Sequence, residues 1–225
     1  MKRFLLIAAT GALLAGCGSP VSTTYNVTFD TTDRATMSDL STAAQHVMER
    51  RLAALGGNLI DYKVNYDEKT NVTLITADVD TQEHADALKA QMLAPFTIEV
   101  RINVDKEEPG DVTVNGQGVF RATDLSKADF DWMVGNESEG DALKHGQVTI
   151  GFTVKGAEKM RTLFKKYDGR AMGIFVRGML VAKVKLKNDK IDRTITIKNV
   201  PTREIAEVFA DDMNVGLHMT FTADK

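Results

Sequence analysis

The chain has 225 residues, with 28 Lys and Arg against 31 Asp and Glu, a formal net charge of -3 and a single cysteine. Mild acidity leaves no basic footprint for nucleic acid and no polybasic patch for anionic lipid, so neither partner is expected to be held by charge. One cysteine forms no internal disulfide, so the fold must rest on its apolar core, for which 43% hydrophobic residues is an ordinary supply.

Lys2 and Arg3 precede an apolar run from Phe4 to Ala15, too short to span a bilayer as a stable helix. The run ends in Leu14-Ala15-Gly16-Cys17. This resembles a bacterial lipoprotein signal with its lipobox. The resemblance implies removal of residues 1–16, a thioether-linked diacylglycerol on Cys17 and an added N-acyl chain such as palmitate. Two or three acyl chains anchor stably where one holds only marginally. Loss of Lys2 and Arg3 moves the formal charge from -3 to about -5. The expected location is the cell envelope, tethered to a membrane and facing its periplasmic or extracellular side. Residues 17–24 form a short polar tether. No later segment approaches the ~20 consecutive apolar residues of a membrane-spanning helix.

The folded chain begins with Tyr25, Val27 and Phe29 alternating with polar neighbours, the period of a half-buried strand. Leu40, Ala44, Val47, Met48, Leu52 and Leu55 recur at helical spacing, and Gly56-Gly57 stops that helix. Tyr62, Val64 and Tyr66 predict a strand, Asp67 to Asn71 a turn, and Val72 to Ala77 its hairpin partner. Thr81 caps a helix carrying Ala85, Leu88 and Met92, and Ile98, Val100 and Ile102 close the set as a strand. Residues 105–146 read as an irregular connection, with a short hairpin at Asn115-Gly116 and a helical turn between Leu125 and Met133.

The same order then repeats. Val148, Ile150, Phe152 and Val154 alternate as a strand, and Ala157, Met160, Leu163 and Phe164 form a helical stripe. Ile174 to Val176 and Leu180 to Leu186 flank a turn at Arg177-Gly178-Met179, and Ile191, Ile195 and Ile197 add a strand. Pro201-Thr202 opens a helix with Ile205, Val208, Phe209 and Met213 facing inward, and Leu217, Met219 and Phe221 end the fold as a strand. The predicted fold is therefore α+β: two successive ferredoxin-like β-α-β-β-α-β units with antiparallel sheets, over 25–104 and 147–222.

Val47-Met48-Glu49-Arg50-Arg51-Leu52-Ala53-Ala54-Leu55-Gly56 resembles the arginine-rich helix of the first periplasmic domain of SecD, the subunit that assists the Sec translocon. Ile98-Glu99-Val100-Arg101 is similar to an apolar strand of that domain. Val148 to Val154, Gly156-Ala157-Glu158-Lys159, Gly173 to Ala182 and Asn199 to Ala206 follow the order of its head subdomain. The resemblance implies a base-like unit over 25–104, a head-like unit over 147–222, and Sec translocon subunits or unfolded secretory polypeptides as partners. The family's glycine-rich entry segment has no counterpart in residues 25–45 and its remaining membrane helices have none in the sequence, so no proton-coupled motor is expected. The implied role is a lipid-anchored accessory of export. The alternative is an envelope scaffold or adaptor that keeps the fold without the export role.

No catalytic constellation emerges. His46, His84, His145 and His218 show no metal-ligand spacing and read as solvated side chains. Asp211-Asp212, Asp78 with Asp80, and Glu107-Glu108 fall on turns or exposed faces. No enzyme activity, metal or cofactor is expected. Two features point to peptide binding. Phe130, Trp132 and Met133 place aromatic and thioether side chains in the irregular connection, a composition that grips apolar peptides, although core packing suits them as well. The strand edge between Ile174 and Leu186 could accept an extended peptide, while Lys183, Lys185 and Lys187 suit an edge protected from aggregation.

Overall fold

Alternation sets the first strand, Val21–Phe29 (β1), where Thr23, Tyr25 and Val27 are buried and their neighbours point outward, as the two-residue period of a strand requires. The computed structural model describes residues 19–67, 72–105, 107–186 and 192–223. After β1 come helix Arg34–Ala54 (α1), strands Leu59–Asp67 (β2) and Val72–Val79 (β3), helix Gln82–Leu93 (α2) and strand Ile98–Val104 (β4). Strands Val112–Val114 (β5) and Gly118–Ala122 (β6) lead through a 3-10 turn at Lys127–Asp129 to strands Phe130–Glu137 (β7) and Gly146–Phe152 (β8). Helix Val154–Lys166 (α3), strands Ala171–Val176 (β9), Met179–Lys185 (β10) and Thr194–Val200 (β11), helix Arg203–His218 (α4) and strand Met219–Ala223 (β12) complete the order.

Each α-helix starts on a side-chain cap. Asp33, Thr81, Thr153 and Thr202 accept from the backbone N–H three residues on, at Thr36, His84, Gly156 and Ile205. Such a cap stabilises a helix by about 1 kcal/mol because it satisfies a donor without an intrahelical partner. The Thr153 cap explains one difference from the periodicity. Val154, which alternates with the preceding strand, is instead the first residue of α3 and is exposed. Leu217 and His218 likewise belong to the end of α4 and not to the last strand.

The fold is mixed α+β with antiparallel sheets. Their strand orders are β12-β1-β3-β2, β10-β9-β4-β6-β5 and β11-β8-β7. The expectation that Ile98, Val100 and Ile102 close the first sheet is corrected by this pairing. β4 lies between β9 and β6, so both of its edges are used in the second sheet. The first sheet is closed by β12, paired with β1 from Phe29↔Met219 to Tyr25↔Ala223. Tyr25 and Phe221 meet edge to face at 5.8 Å across this seam. Both β4 and β12 carry strand alternation, and alternation does not encode which sheet a strand joins.

The span 105–146 is more ordered than an irregular connection. The expected hairpin is β5–β6, turning at Asn115-Gly116 with Gly116 at φ +70. The expected helical turn is the 3-10 turn, and β7 follows it. The turn expected at Asp67–Asn71 and the strand residue Ile191 fall largely outside the described residues.

Two cores result. Tyr25, Val47, Met48, Leu52, Ile75 and Leu88 pack beneath the first sheet. Val100, Ile102, Phe130, Ile150, Phe152 and Met160 pack between the other two sheets and α3. Helix α4 serves both, giving Met213 and Leu217 to the second core and Val215 to the first.

Candidate polypeptide-binding groove

Helix α4 carries two apolar stripes. Ala206, Ala210, Met213 and Leu217 are buried in the core, as positions near three- and four-residue spacing on one helix face. Ile205, Val208, Phe209 and Asp212 occupy the adjoining face, so the expectation that Ile205 points into the core is corrected. This second stripe forms one wall of a groove of about 530 Å³. The last turn of α1 supplies Arg50, Arg51 and Ala54, with Leu55 just beyond it, and the β9–β10 hairpin supplies Val176, Arg177, Met179 and Val181.

Local sequence explains the hairpin. Arg177 and Gly178 form its two-residue turn, both with positive φ, +49 and +78, the backbone of a tight primed turn. Among the described residues β10 pairs only with β9 and lies at the edge of its sheet. The register passes from Leu180↔Phe175 to Ala182↔Ile174, leaving Val181 as a bulge residue, and a bulge re-aims a side chain at a sheet edge. Met179 is 67% exposed, Ile205 48%, and Leu55 and Val181 each 41%. Four large apolar side chains gathered at one groove form a patch of the kind that marks an interaction site.

A smaller pocket of about 110 Å³ adjoins the groove at Asp212, lined by Phe96, Val215, Gly216 and Met219 among others. Arg51, Phe96, Arg177 and Asp212 line both compartments. Gly216 lets the Phe96 ring lie on α4, since a Cβ there would stand 2.1 Å from the ring.

Arginines dominate this midpoint. Arg50 Nη1 lies 3.3 Å from Asp211 Oδ2 and Nη2 3.7 Å from Asp212 Oδ2. Arg51 Nη2 lies 3.6 Å from Asp212 Oδ1, and its Nη1 donates to the carbonyl of Gln91 at 3.0 Å. Burial, and then the charge of Arg177, hold the Arg51 guanidinium below the usual arginine range, while Asp212 opposes them. The Arg50 Nε is shielded from solvent and has no hydrogen-bond partner among the described residues. His46 Nδ1 joins Asp211 at 3.2 Å, so α1 and α4 are tied along this seam.

The residues singled out from sequence lie elsewhere. Phe130 and Met133 are 4% and 1% exposed and belong to the second core. Trp132 is half-buried, packs against the first core and stacks on the His218 ring at 5.2 Å. Burial of Phe130 and Met133 takes them out of reach of a peptide and supports the core-packing reading given beside the grip. Cys17 lies outside the described residues. Lys183, expected to protect the edge, donates to the carbonyl of Gln117 at 2.7 Å, and Lys187 is outside the described residues.

His46 is half exposed, as expected of a solvated side chain, whereas the other three histidines are more buried and paired with carboxylates. His84, His145 and His218 place Nδ1 at 2.8, 2.6 and 2.7 Å from Asp80, Asp141 and Asp30. Among the described residues no group of three or more His, Cys, Asp or Glu side chains is arranged to hold a metal. No helix among them is long and apolar enough to cross a membrane.

Sequence patterning missed the groove because Leu55, Ile205 and Phe209 read as core by spacing. The available signal was an excess of apolar positions on α4, wider than one buried face needs.

No family model matches the sequence, and no curated protein matches it significantly. Among solved structures the chain is similar to SecDF in its super-membrane-facing form, at 16% identity and a TM-score of 0.49, over 92% of this chain and 30% of that one. It is also similar to a chain of the membrane component SecDF that enhances protein export, at 14% identity and a TM-score of 0.47, over 91% of this chain and 99% of that one. A third likeness is to SecDF, a translocon-associated membrane protein from Thermus thermophilus, at 15% identity and a TM-score of 0.48, over 91% of this chain and 30% of that one. The chain thus spans 30% of the length of two of these SecDF chains and nearly all of the shorter one.

Proposed function

We propose that this protein is a lipid-anchored, non-catalytic accessory of Sec-type protein export that holds extended, unfolded polypeptide in the α1–α4 groove. The carrying observation is the groove itself: Leu55, Met179, Val181 and Ile205 leave apolar surface exposed among the described residues. From Ile205 to Gly216 the lining residues follow α4 for ~17 Å at the rise of a helix. An extended chain covers that length in about five residues. The free edge of β10 beside the groove offers main-chain hydrogen bonds, which recognise an extended chain with little demand on its sequence. That tolerance suits a protein meeting many different exports.

Further support is the ordered set of SecD-like segments and the lipobox at Cys17. The order of the first sheet, with its fourth strand returning from the far end of the chain, suits a ferredoxin-like base interrupted by a head. The envelope and the Sec translocon are then the expected surroundings, with the lipid on Cys17 as the tether.

The test is binding of a reduced, carboxymethylated polypeptide to the full-length chain, read by fluorescence anisotropy. Wild type is expected to bind, and Met179→Glu and Ile205→Glu to lose at least about tenfold in affinity, since a charge replaces buried apolar contact. Both side chains are exposed, so urea midpoints should stay within about 0.5 kcal/mol of wild type. Equal binding by wild type and both variants would contradict the assignment.

A further inference from the structure

We infer that the groove selects polypeptide segments carrying an internal acidic side chain flanked by large apolar residues, with Arg51 and Arg177 reading the carboxylate. This rests on the polypeptide-binding reading and adds the chemistry of its substrate.

Positive charge is concentrated where the two pockets meet, at Arg51 and Arg177. Arg50, Arg51 and Arg177 line it beside a single lining carboxylate, Asp212. Lys127 adds a further cation in the smaller compartment. Asp211 absorbs part of Arg50, and Asp212 is divided between Arg50 and Arg51 at 3.7 and 3.6 Å. Those separations are longer than a charge-assisted hydrogen bond. Arg177 forms no ion pair among the described residues. A net positive site within a chain of formal charge -3 is therefore complementary to an incoming carboxylate. A guanidinium suits it better than an ammonium, because its planar fork binds both carboxylate oxygens.

The position of the arginines chooses between a chain terminus and a side chain. Arg51, Arg177 and Asp212 line both compartments, with apolar surface on either side: Met179, Val181 and Ile205 in the larger, Phe96, Val215 and Met219 in the smaller. An occupant filling both carries polypeptide past the arginines in each direction, so its carboxylate is an Asp or Glu side chain within the segment.

The test uses the full-length chain and three fluorescein-labelled peptides of alternating Leu and Ser that differ in one central residue, Glu, Gln or Lys. At low ionic strength the Glu peptide is expected to bind about fivefold tighter than Gln and more than tenfold tighter than Lys, the range of a half-exposed ion pair. Added salt should narrow the gap. Arg177→Asn, chosen because Asn tolerates positive φ, should bring the three peptides within about twofold, a loss of one charge contact. Asp212→Asn, which removes the competing carboxylate, should widen the preference for Glu. Equal binding of all three to wild type would overturn this inference and leave the export reading standing. Binding of none would overturn both. Self-association that blocks all three peptides would assign the groove to a second copy of the chain and overturn the inference as well.

Discussion

Removing the Asn214 amide leaves two backbone groups of Met133 without partners. β7 is an edge strand, and α4 covers that edge. Asn214, buried in α4, accepts from the Met133 N–H at 2.9 Å and donates to the Met133 carbonyl at 2.8 Å. One side-chain amide thus replaces the missing strand neighbour at a buried position. An unmet buried donor or acceptor costs about 1–3 kcal/mol, so Asn214→Ala, which leaves one of each, is expected to lose about 2–6 kcal/mol. Asn214→Asp keeps an acceptor for the N–H but sets an oxygen against the Met133 carbonyl, and should cost at least as much. Urea unfolding checks this, with midpoints falling and the m-value unchanged. A loss for Asn214→Ala of under about 1 kcal/mol would refute the reasoning that the amide fork seals this edge.

Other expectations follow from the same packing. Gly135 lets α4 approach β7, since a Cβ there would lie 2.2 Å from the Ala206 carbonyl oxygen. Gly135→Ala should therefore cost at least the ~1–3 kcal/mol of overpacking, read as a lower urea midpoint. Asp129 is buried and accepts from Lys159 Nζ at 2.8 Å and from the Ser126 N–H at 2.8 Å. Burial pushes its carboxyl up, but Lys159 and Ser126 outweigh this and hold it below the usual range. Its stabilisation is present above the unfolded carboxylate value of about 3.9 and is lost as pH falls through the lower folded value. The stability gap between wild type and Asp129→Asn should accordingly be open at pH 7 and close in acid. His218→Ala removes the ring stacked on Trp132, the sole tryptophan, and should shift the protein's fluorescence to the red. An unchanged spectrum would show that the stack does not shield the indole.

Much of the local structure was legible in the sequence. Thr81 and Thr202 announce their helices, Gly56 ends α1, and Asn115-Gly116 turns a hairpin, because each signal is a local backbone requirement. Which sheet a strand joins was not legible. β4 and β12 have equivalent alternation, and only the path of α4, which delivers Met219 beside Phe29, distinguishes them. Phe130 and Met133 resembled a peptide grip because composition does not report what lies across a strand; Ile150 and Phe152 lie there. The groove was hidden for the converse reason. Ile205 and Leu55 keep helical spacing with true core residues, yet stand past the point where a neighbouring element covers them. The Arg50-Arg51 pair was visible as a segment, but its meeting with Arg177 and Asp212 required the fold.

The most direct test of the groove is a photoreactive amino acid placed at Met179 in living cells, compared with one at Leu143, which is 77% exposed and outside the groove. Captured partners are identified by mass spectrometry. Secretory polypeptides in transit should be captured from position 179 and not from position 143. Equal capture at both positions, or none at position 179, would contradict polypeptide binding in the groove.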